Sequence, residues 1–75
     1  MKEITIALKS IDDVKEFVKI VNMYDFDVDM VSGRHIVDAK SIMGIFSLDL
    51  SKSIKLNIHA TDCDKFLDEI KKFAA

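Results

Sequence analysis

Residues 39–50, AKSIMGIFSLDL, place six large apolar side chains within nine positions, interrupted by one glycine. This run is too apolar for a surface loop and much shorter than the roughly 20 residues that a membrane-spanning helix requires. Ser41 stands directly before it, and serine is a favoured residue at a helix N-cap. The pattern therefore predicts a short helix from Ile42 to Leu48, capped by Ser41.

Strand patterns lie on both sides of this segment. The clearest alternation is DFDVDM, residues 25–30, and Ser32-Gly33 then predicts a turn before the strand HIVDA, residues 35–39. Residues 3–8 and 53–60 alternate in the same way. The sequence thus predicts four strands, of which the second and third form a hairpin.

Two longer stretches have helical spacing. Ser10 is a candidate N-cap for a helix from Ile11 to Asn22, whose first turn carries Asp12 and Asp13. Thr61 or Asp62 is expected to cap a final helix. Its apolar stripe consists of Cys63, Phe66, Leu67, Ile70, Phe73 and Ala74.

The element order β-α-β-β-α-β-α predicts an α+β fold in a single domain spanning residues 1–75. Its four-stranded, mainly antiparallel sheet would be covered on one face by three helices. The expected core consists of Ile4, Ile6, Val14, Val18, Phe26, Val28, Ile54, Leu56, Phe66, Leu67 and Ile70. The opposite sheet face would be solvated, with Asp25, Asp27, Asp29, Lys55, Asn57 and His59 on it.

Composition narrows the function classes. A net charge of −2 over 75 residues, without a basic patch, argues against a nucleic-acid binder. A single cysteine excludes an intramolecular disulfide. The N-terminal stretch lacks the pattern of a secretory signal, so a cytoplasmic protein without a membrane segment is expected.

No catalytic or metal site is predicted. The row Asp25, Asp27 and Asp29 begins like a calcium loop, but Met30 and Ile36 occupy the positions where that loop needs glycine and glutamate. Cys63 lies on an apolar stripe and is interpreted as a buried core residue rather than a zinc ligand. No nucleophile motif or phosphate loop is present, so neither an enzyme nor a cofactor is expected.

The short helix carries more apolar residues than one core-facing stripe can bury. Part of it is therefore expected to be exposed as a docking surface for a protein partner. The apolar residues of this helix are Ile42, Met43, Ile45, Phe46 and Leu48.

The segment VDAKSIMGIFSLDLSKSIKLNIHA, residues 37–60, resembles the matching part of HPr, the phosphocarrier of the bacterial phosphoenolpyruvate:sugar phosphotransferase system. The motif K-S-I-M-G followed by two apolar residues and S-L carries the resemblance, and residues 24–41 align in style. The resemblance implies the open-faced β-sandwich of that family. It also implies that Ser41 is the regulatory phosphorylation site of an ATP-dependent kinase. The partner-docking residues that the resemblance implies around it are Lys40, Ile42, Met43, Phe46 and Leu48.

The chain departs from the family where a phosphocarrier has its acceptor histidine. Counting back from Ser41 without a gap, Ser10 falls at that histidine, Asp12 at an arginine and Asp13 at a proline. The favoured hypothesis is a regulatory, protein-binding module, similar in kind to the catabolite-repression HPr paralogue. Its partners would be the HPr kinase/phosphorylase and a LacI-type transcription regulator, or other phosphotransferase-system components.

Two alternatives remain at this point. One is a phosphocarrier with a non-standard acceptor such as Ser10 or His59. The other is a purely structural partner domain in which Ser41 has no regulatory role.

Overall fold

The computed structural model describes residues 2–75 as four strands and three α-helices, in the order that the sequence predicts. The strands are β1 (Lys2–Ile6), β2 (Val28–Ser32), β3 (His35–Asp38) and β4 (Ile54–Ile58). The helices are α1 (Ile11–Val21), α2 (Ile42–Phe46) and α3 (Asp64–Ile70), and a 3-10 turn, Lys71–Phe73, follows α3. None of the helices within these residues is long and apolar enough to cross a bilayer.

The four strands form one sheet in the order β1-β4-β2-β3, with antiparallel pairing between all neighbours. The predicted α+β class, with a four-stranded antiparallel sheet and three helices, is confirmed. Gly33, in the left-handed region with φ +61°, makes the tight turn between β2 and β3, since glycine adopts that conformation without steric cost.

The core lies between the helices and one face of the sheet. All eleven predicted core residues are buried or half-buried in it. The structure adds further fully buried side chains, among them Leu8, Phe17, Met30, Ile45 and Ile58.

Several predicted boundaries were wrong. Strands β1 and β4 end at Ile6 and Ile58, two residues before the predicted ends, and three further errors concern β2, α2 and α3. Strand β2 begins at Val28, because Tyr24 and Phe26 leave the strand path and pack edge-on against Phe66, with ring centroids 5.1 and 5.3 Å from it.

Helix α2 ends at Phe46 rather than at Leu48. The hydroxyl of Ser47 donates to the Gly44 carbonyl at 2.5 Å and so helps to close the last turn.

The third error concerns the start of α3. Neither Thr61 nor Asp62 caps this helix; the N-cap is Cys63, whose carbonyl accepts a bond from the Leu67 amide at 2.9 Å. The predicted stripe also fails at Ala74, which is exposed. Ala74 forms a bridge with Ile6 along the outer edge of β1 instead of continuing the helix.

Candidate docking and phosphorylation site

Ser41 caps α2 as predicted. Its backbone is extended, with φ −100° and ψ 108°, and its Oγ accepts a hydrogen bond from the Gly44 amide at 3.1 Å. Gly44 leaves room for this contact, because a Cβ there would lie 3.3 Å from both Ser41 Oγ and Val37 Cβ. Ser41 is itself exposed, so its hydroxyl can be reached from solvent.

Two large apolar side chains of α2, the helix that Ser41 caps, are open to solvent. Met43 is 82% exposed and Phe46 is 46% exposed, while Ile42 is half-buried against the core. We call Ser41, Ile42, Met43 and Phe46 the Ser41 surface. Large apolar side chains that are exposed to solvent in the isolated domain are typical of a surface that docks a partner.

Leu48 does not belong to that surface. Only 8% of it is exposed, so its assignment as a docking residue was wrong. The reason is the early end of α2. The Leu48 amide bonds back to the Ile45 carbonyl at 3.0 Å, and this turn carries Leu48 into the core beside the buried Ile45.

Lys40 precedes Ser41 in the chain, but its ammonium group bonds to a different part of the molecule. Its ammonium donates to the Tyr24 carbonyl at 3.0 Å, and its amide donates to Asp38 Oδ1 at 2.9 Å. The Asn22 side chain donates to the Lys40 carbonyl at 3.4 Å. Lys40 therefore ties the start of α2 to the end of α1, and its ammonium is not committed to Ser41.

The start of α1 lies next to this region. Ser10 caps the helix by accepting the Asp13 amide at 3.1 Å, and Asp13 Oδ2 in turn accepts the Lys9 amide at 3.0 Å. With Asp12 and Asp13 in the first turn, the positive end of the helix dipole already faces carboxylates of the chain itself.

A groove of about 460 Å³ joins the start of α1 to the end of α2. We call it the Ser10 groove; its lining consists of Leu8, Lys9, Ser10, Ile11, Phe46, Leu50 and Ser51. Hydrogen bonds from the Ser51 hydroxyl and then its amide hold the pKa of Asp49 below its ordinary value, which keeps an anion next to the groove.

The sequence did not predict Ile11 and Leu50 as part of this site. Ile11 is 62% exposed although it begins the apolar stripe of α1, because it lies in the first turn, beyond the elements that cover the rest of that stripe. An apolar residue directly after an N-cap is a signal that could have identified it.

The two histidines lie away from the start of α1. His35 is an exposed residue of β3, and His59 follows β4, where its Nε2 lies 2.8 Å from Asp29 Oδ2. Neither lines the Ser10 groove.

The predicted acidic row does not form one strand face. Asp25 lies in a bend before β2, while Asp27 and Asp29 line a depression with Asp38 and His59 on the uncovered side of the sheet. Within residues 2–75 no three potential ligands are arranged to hold a metal ion. Cys63, 3% exposed, is a buried core residue, as its position on the apolar stripe predicted.

Residues 13–75 match the family model described as PTS HPr component phosphorylation site. The match begins after Ser10 and includes Ser41 and all of α2. Among curated proteins, none matches significantly.

Three solved structures have a similar fold. HPr-C-His from Thermoanaerobacter tengcongensis is 28% identical, with a TM-score of 0.80 over 96% of this chain and 89% of that one. Phosphocarrier protein HPr from Bacillus anthracis str. Ames is 25% identical, with a TM-score of 0.73 over 99% and 94%. The histidine-containing phosphocarrier protein of Mycoplasma, 14% identical with a TM-score of 0.75 over 95% and 89%, shares the fold.

Proposed function

The chain belongs to the HPr family of the phosphotransferase system, and from that premise we propose that it is a regulatory, protein-binding member of the family rather than a histidine phosphocarrier. It would act through the Ser41 surface, with Ser41 as a phosphorylation switch. A cytoplasmic location accords with this role.

One observation carries the proposal: an exposed serine caps α2, and the same short helix carries Met43 and Phe46, which are 82% and 46% exposed. A modification at Ser41 would therefore change the chemistry of an apolar surface that is already open to a partner. The first turn of α2 contains no acidic residue that would repel a phosphate.

Phosphorylation would bring nearly two negative charges and three acceptor oxygens to Ser41. The Gly44 amide, which now donates to Ser41 Oγ at 3.1 Å, would be available to a phosphate oxygen with little movement of the backbone. The main consequence would then be a new anion beside an apolar surface. Such a surface suits a partner that offers arginine or lysine around an apolar socket.

The start of α1 supports the second half of the proposal. Ser10 stands where the family resemblance places the acceptor histidine, so that position offers a hydroxyl instead of an imidazole. Asp12 and Asp13 would repel an incoming phosphoryl donor at that end of the helix. A phosphoserine ester is in addition more stable than phosphohistidine, which makes serine a poor carrier.

The proposed partners are proteins. They are an HPr kinase/phosphorylase that acts on Ser41, and a LacI-type transcription regulator or another phosphotransferase-system component that binds the Ser41 surface. Because Ile11 and Phe46 both line the Ser10 groove, a partner on the Ser41 surface would also reach the start of α1.

Treatment with bacterial HPr kinase and ATP tests the switch. We expect the wild type to take up one phosphate and Ser41→Ala to take up none. Ser47→Ala is the matched control, because Ser47 is an exposed serine at the opposite end of the same helix.

Loss of the Ser41 cap should cost about 1 kcal/mol, so circular dichroism must first establish that Ser41→Ala is folded. Equal labelling of the wild type and Ser41→Ala, or no labelling of either, would refute Ser41 as the switch.

A further inference from the structure

The two edge strands of the sheet differ in whether another part of the chain covers them. The outer edge of β1 is covered by the end of the chain: the Ala7 amide donates to the Phe73 carbonyl at 2.8 Å, and the Ala75 amide donates to the Thr5 carbonyl at 3.2 Å. At the other edge, β3 pairs only with β2 in the described part of the chain. An uncovered edge strand is a template for pairing with another strand.

The hairpin register fixes which backbone groups of β3 point outward. Ser32 pairs with His35 across the tight turn, and the Ala39 amide donates to the Val28 carbonyl at 2.9 Å. In an antiparallel ladder the direction of the backbone N–H and C=O groups alternates along the strand. Those of His35 and Val37 therefore point toward β2, and those of Ile36 and Asp38 point toward the open edge. The Asp38 carbonyl already accepts the Ser41 amide at 3.0 Å, which leaves the Asp38 N–H and both backbone groups of Ile36 directed outward.

The side chains along this edge are self-complementary. Ile36, 67% exposed, lies at the centre. Arg34 lies two residues before it, in the hairpin turn that leads into β3, and Asp38 lies two residues after it, at the end of β3. Within residues 2–75 no carboxylate lies within 4.0 Å of the Arg34 guanidinium. Asp38 lies directly opposite Asp29 on β2, an arrangement of like charges that disfavours the isolated sheet.

We propose that β3 is a self-association surface, on which a second copy of this chain pairs antiparallel to form a continuous eight-stranded sheet. In the register centred on Ile36, the two Ile36 residues form two backbone hydrogen bonds, the N–H of each donating to the C=O of the other. Each Asp38 then lies opposite the partner copy's Arg34, and the Asp38 N–H can donate to the carbonyl of that Arg34.

The neighbouring register is less favourable. Centring the pair on Val37 would set each Ile36 against the other copy's Asp38, which pairs an apolar side chain with a carboxylate. It would also leave both Arg34 side chains without an anion. The charges therefore favour a second copy of this chain as the partner, and they favour the register centred on Ile36 over the one centred on Val37.

This association should be weak, because a four-residue edge contributes a small contact. The proposal does not depend on Ser41, since the edge residues are distinct from the Ser41 surface.

Sedimentation equilibrium over about 10 µM to 1 mM chain tests it. We expect the mean mass of the wild type to rise toward that of a dimer. Ile36→Lys should raise the dissociation constant at least about tenfold, because two ammonium groups would meet at the centre. Met23→Lys is the matched control, since Met23 is 66% exposed and lies beyond the end of α1; it should leave the constant unchanged.

A charge exchange keeps the test specific. Arg34→Asp alone and Asp38→Arg alone should each repel their own copies, whereas an equimolar mixture should form a heterodimer with two opposite-charge pairs. A monomeric wild type throughout the range, or an Ile36→Lys variant that associates like the wild type, would overturn the proposal. If Asp38→Arg does not fold, the comparison of Ile36→Lys with Met23→Lys still decides the outcome.

Discussion

Two serines have the same local role and different surroundings. Ser10 and Ser41 each cap a helix by accepting an amide hydrogen bond three residues on, both at 3.1 Å. Two aspartates share the first turn with Ser10, whereas the first turn of α2 has none. An added phosphate would therefore meet two carboxylates in the first helical turn after Ser10 and none in the first turn after Ser41, which is the residue-level basis for preferring Ser41.

The single tyrosine offers a residue-level test of the packing between α1 and α3. The Tyr24 hydroxyl donates to the Glu69 carboxylate, and this bond, with burial and the negative charge of Glu69, raises the Tyr24 pKa from 10.0 to about 12. Its contribution to stability is therefore complete below pH 10 and is lost as the pH rises from about 10 to about 12.

Tyrosinate absorbance during an alkaline titration measures this directly, because the chain contains one tyrosine. We expect a midpoint near 12 for the wild type and a lower one for Glu69→Gln, since the charge that opposes ionisation is gone. A wild-type midpoint near 10 would contradict the Tyr24–Glu69 contact.

Helices α2 and α3 use their apolar residues in opposite ways. Five-residue α2 buries Ile45 and leaves Met43 and Phe46 open to solvent. Helix α3 buries Phe66 and Ile70, and Phe66 lies under Tyr24 and Phe26. One helix therefore serves mainly as a surface, while the other completes the core.

Two phenylalanine variants separate these uses. Phe66→Ala should lower the free energy of unfolding by about 3–5 kcal/mol, because Phe66 is fully buried and its loss leaves a cavity. Phe46→Ala should cost less than about 1 kcal/mol, because nearly half of Phe46 is already exposed. Chemical denaturation measures both, and a loss below about 1 kcal/mol for Phe66→Ala would disprove its assigned place in the core.

At the scale of the whole molecule, the fold separates the candidate docking residues from the histidines. The Ser10 groove joins the start of α1 to the end of α2, whereas His59 bonds to Asp29 on the uncovered side of the sheet. A phosphoryl donor that docked at the start of α1 would therefore meet Ser10 and no histidine.

The corresponding prediction is negative. Incubation with the general phosphotransferase enzyme and phosphoenolpyruvate should leave no acid-labile phosphate on this chain, while a histidine-containing HPr in the same reaction should be labelled. Mass spectrometry that detected phosphohistidine at His35 or His59 would revive the phosphocarrier alternative.

The sequence by itself determined the order of the elements, two of the three helix caps and the side of β1, β2 and β4 that faces the core. Each of these depends on residues only a few positions apart: Ser41 and Gly44, or the alternation in residues 53–60, are local signals. The motif in residues 40–48 also sufficed to indicate the family, because its residues are contiguous.

Only the tertiary structure decided which of these residues meet. Leu48 is buried because the chain turns back after Phe46, and Ile11 joins Phe46 in one groove although 35 positions separate them. The Lys40 ammonium bonds to the Tyr24 carbonyl, and β3 is left at the open edge. The physical reason is that periodicity records which way a side chain points within its own element, whereas burial, grooves and edges depend on how distant elements pack.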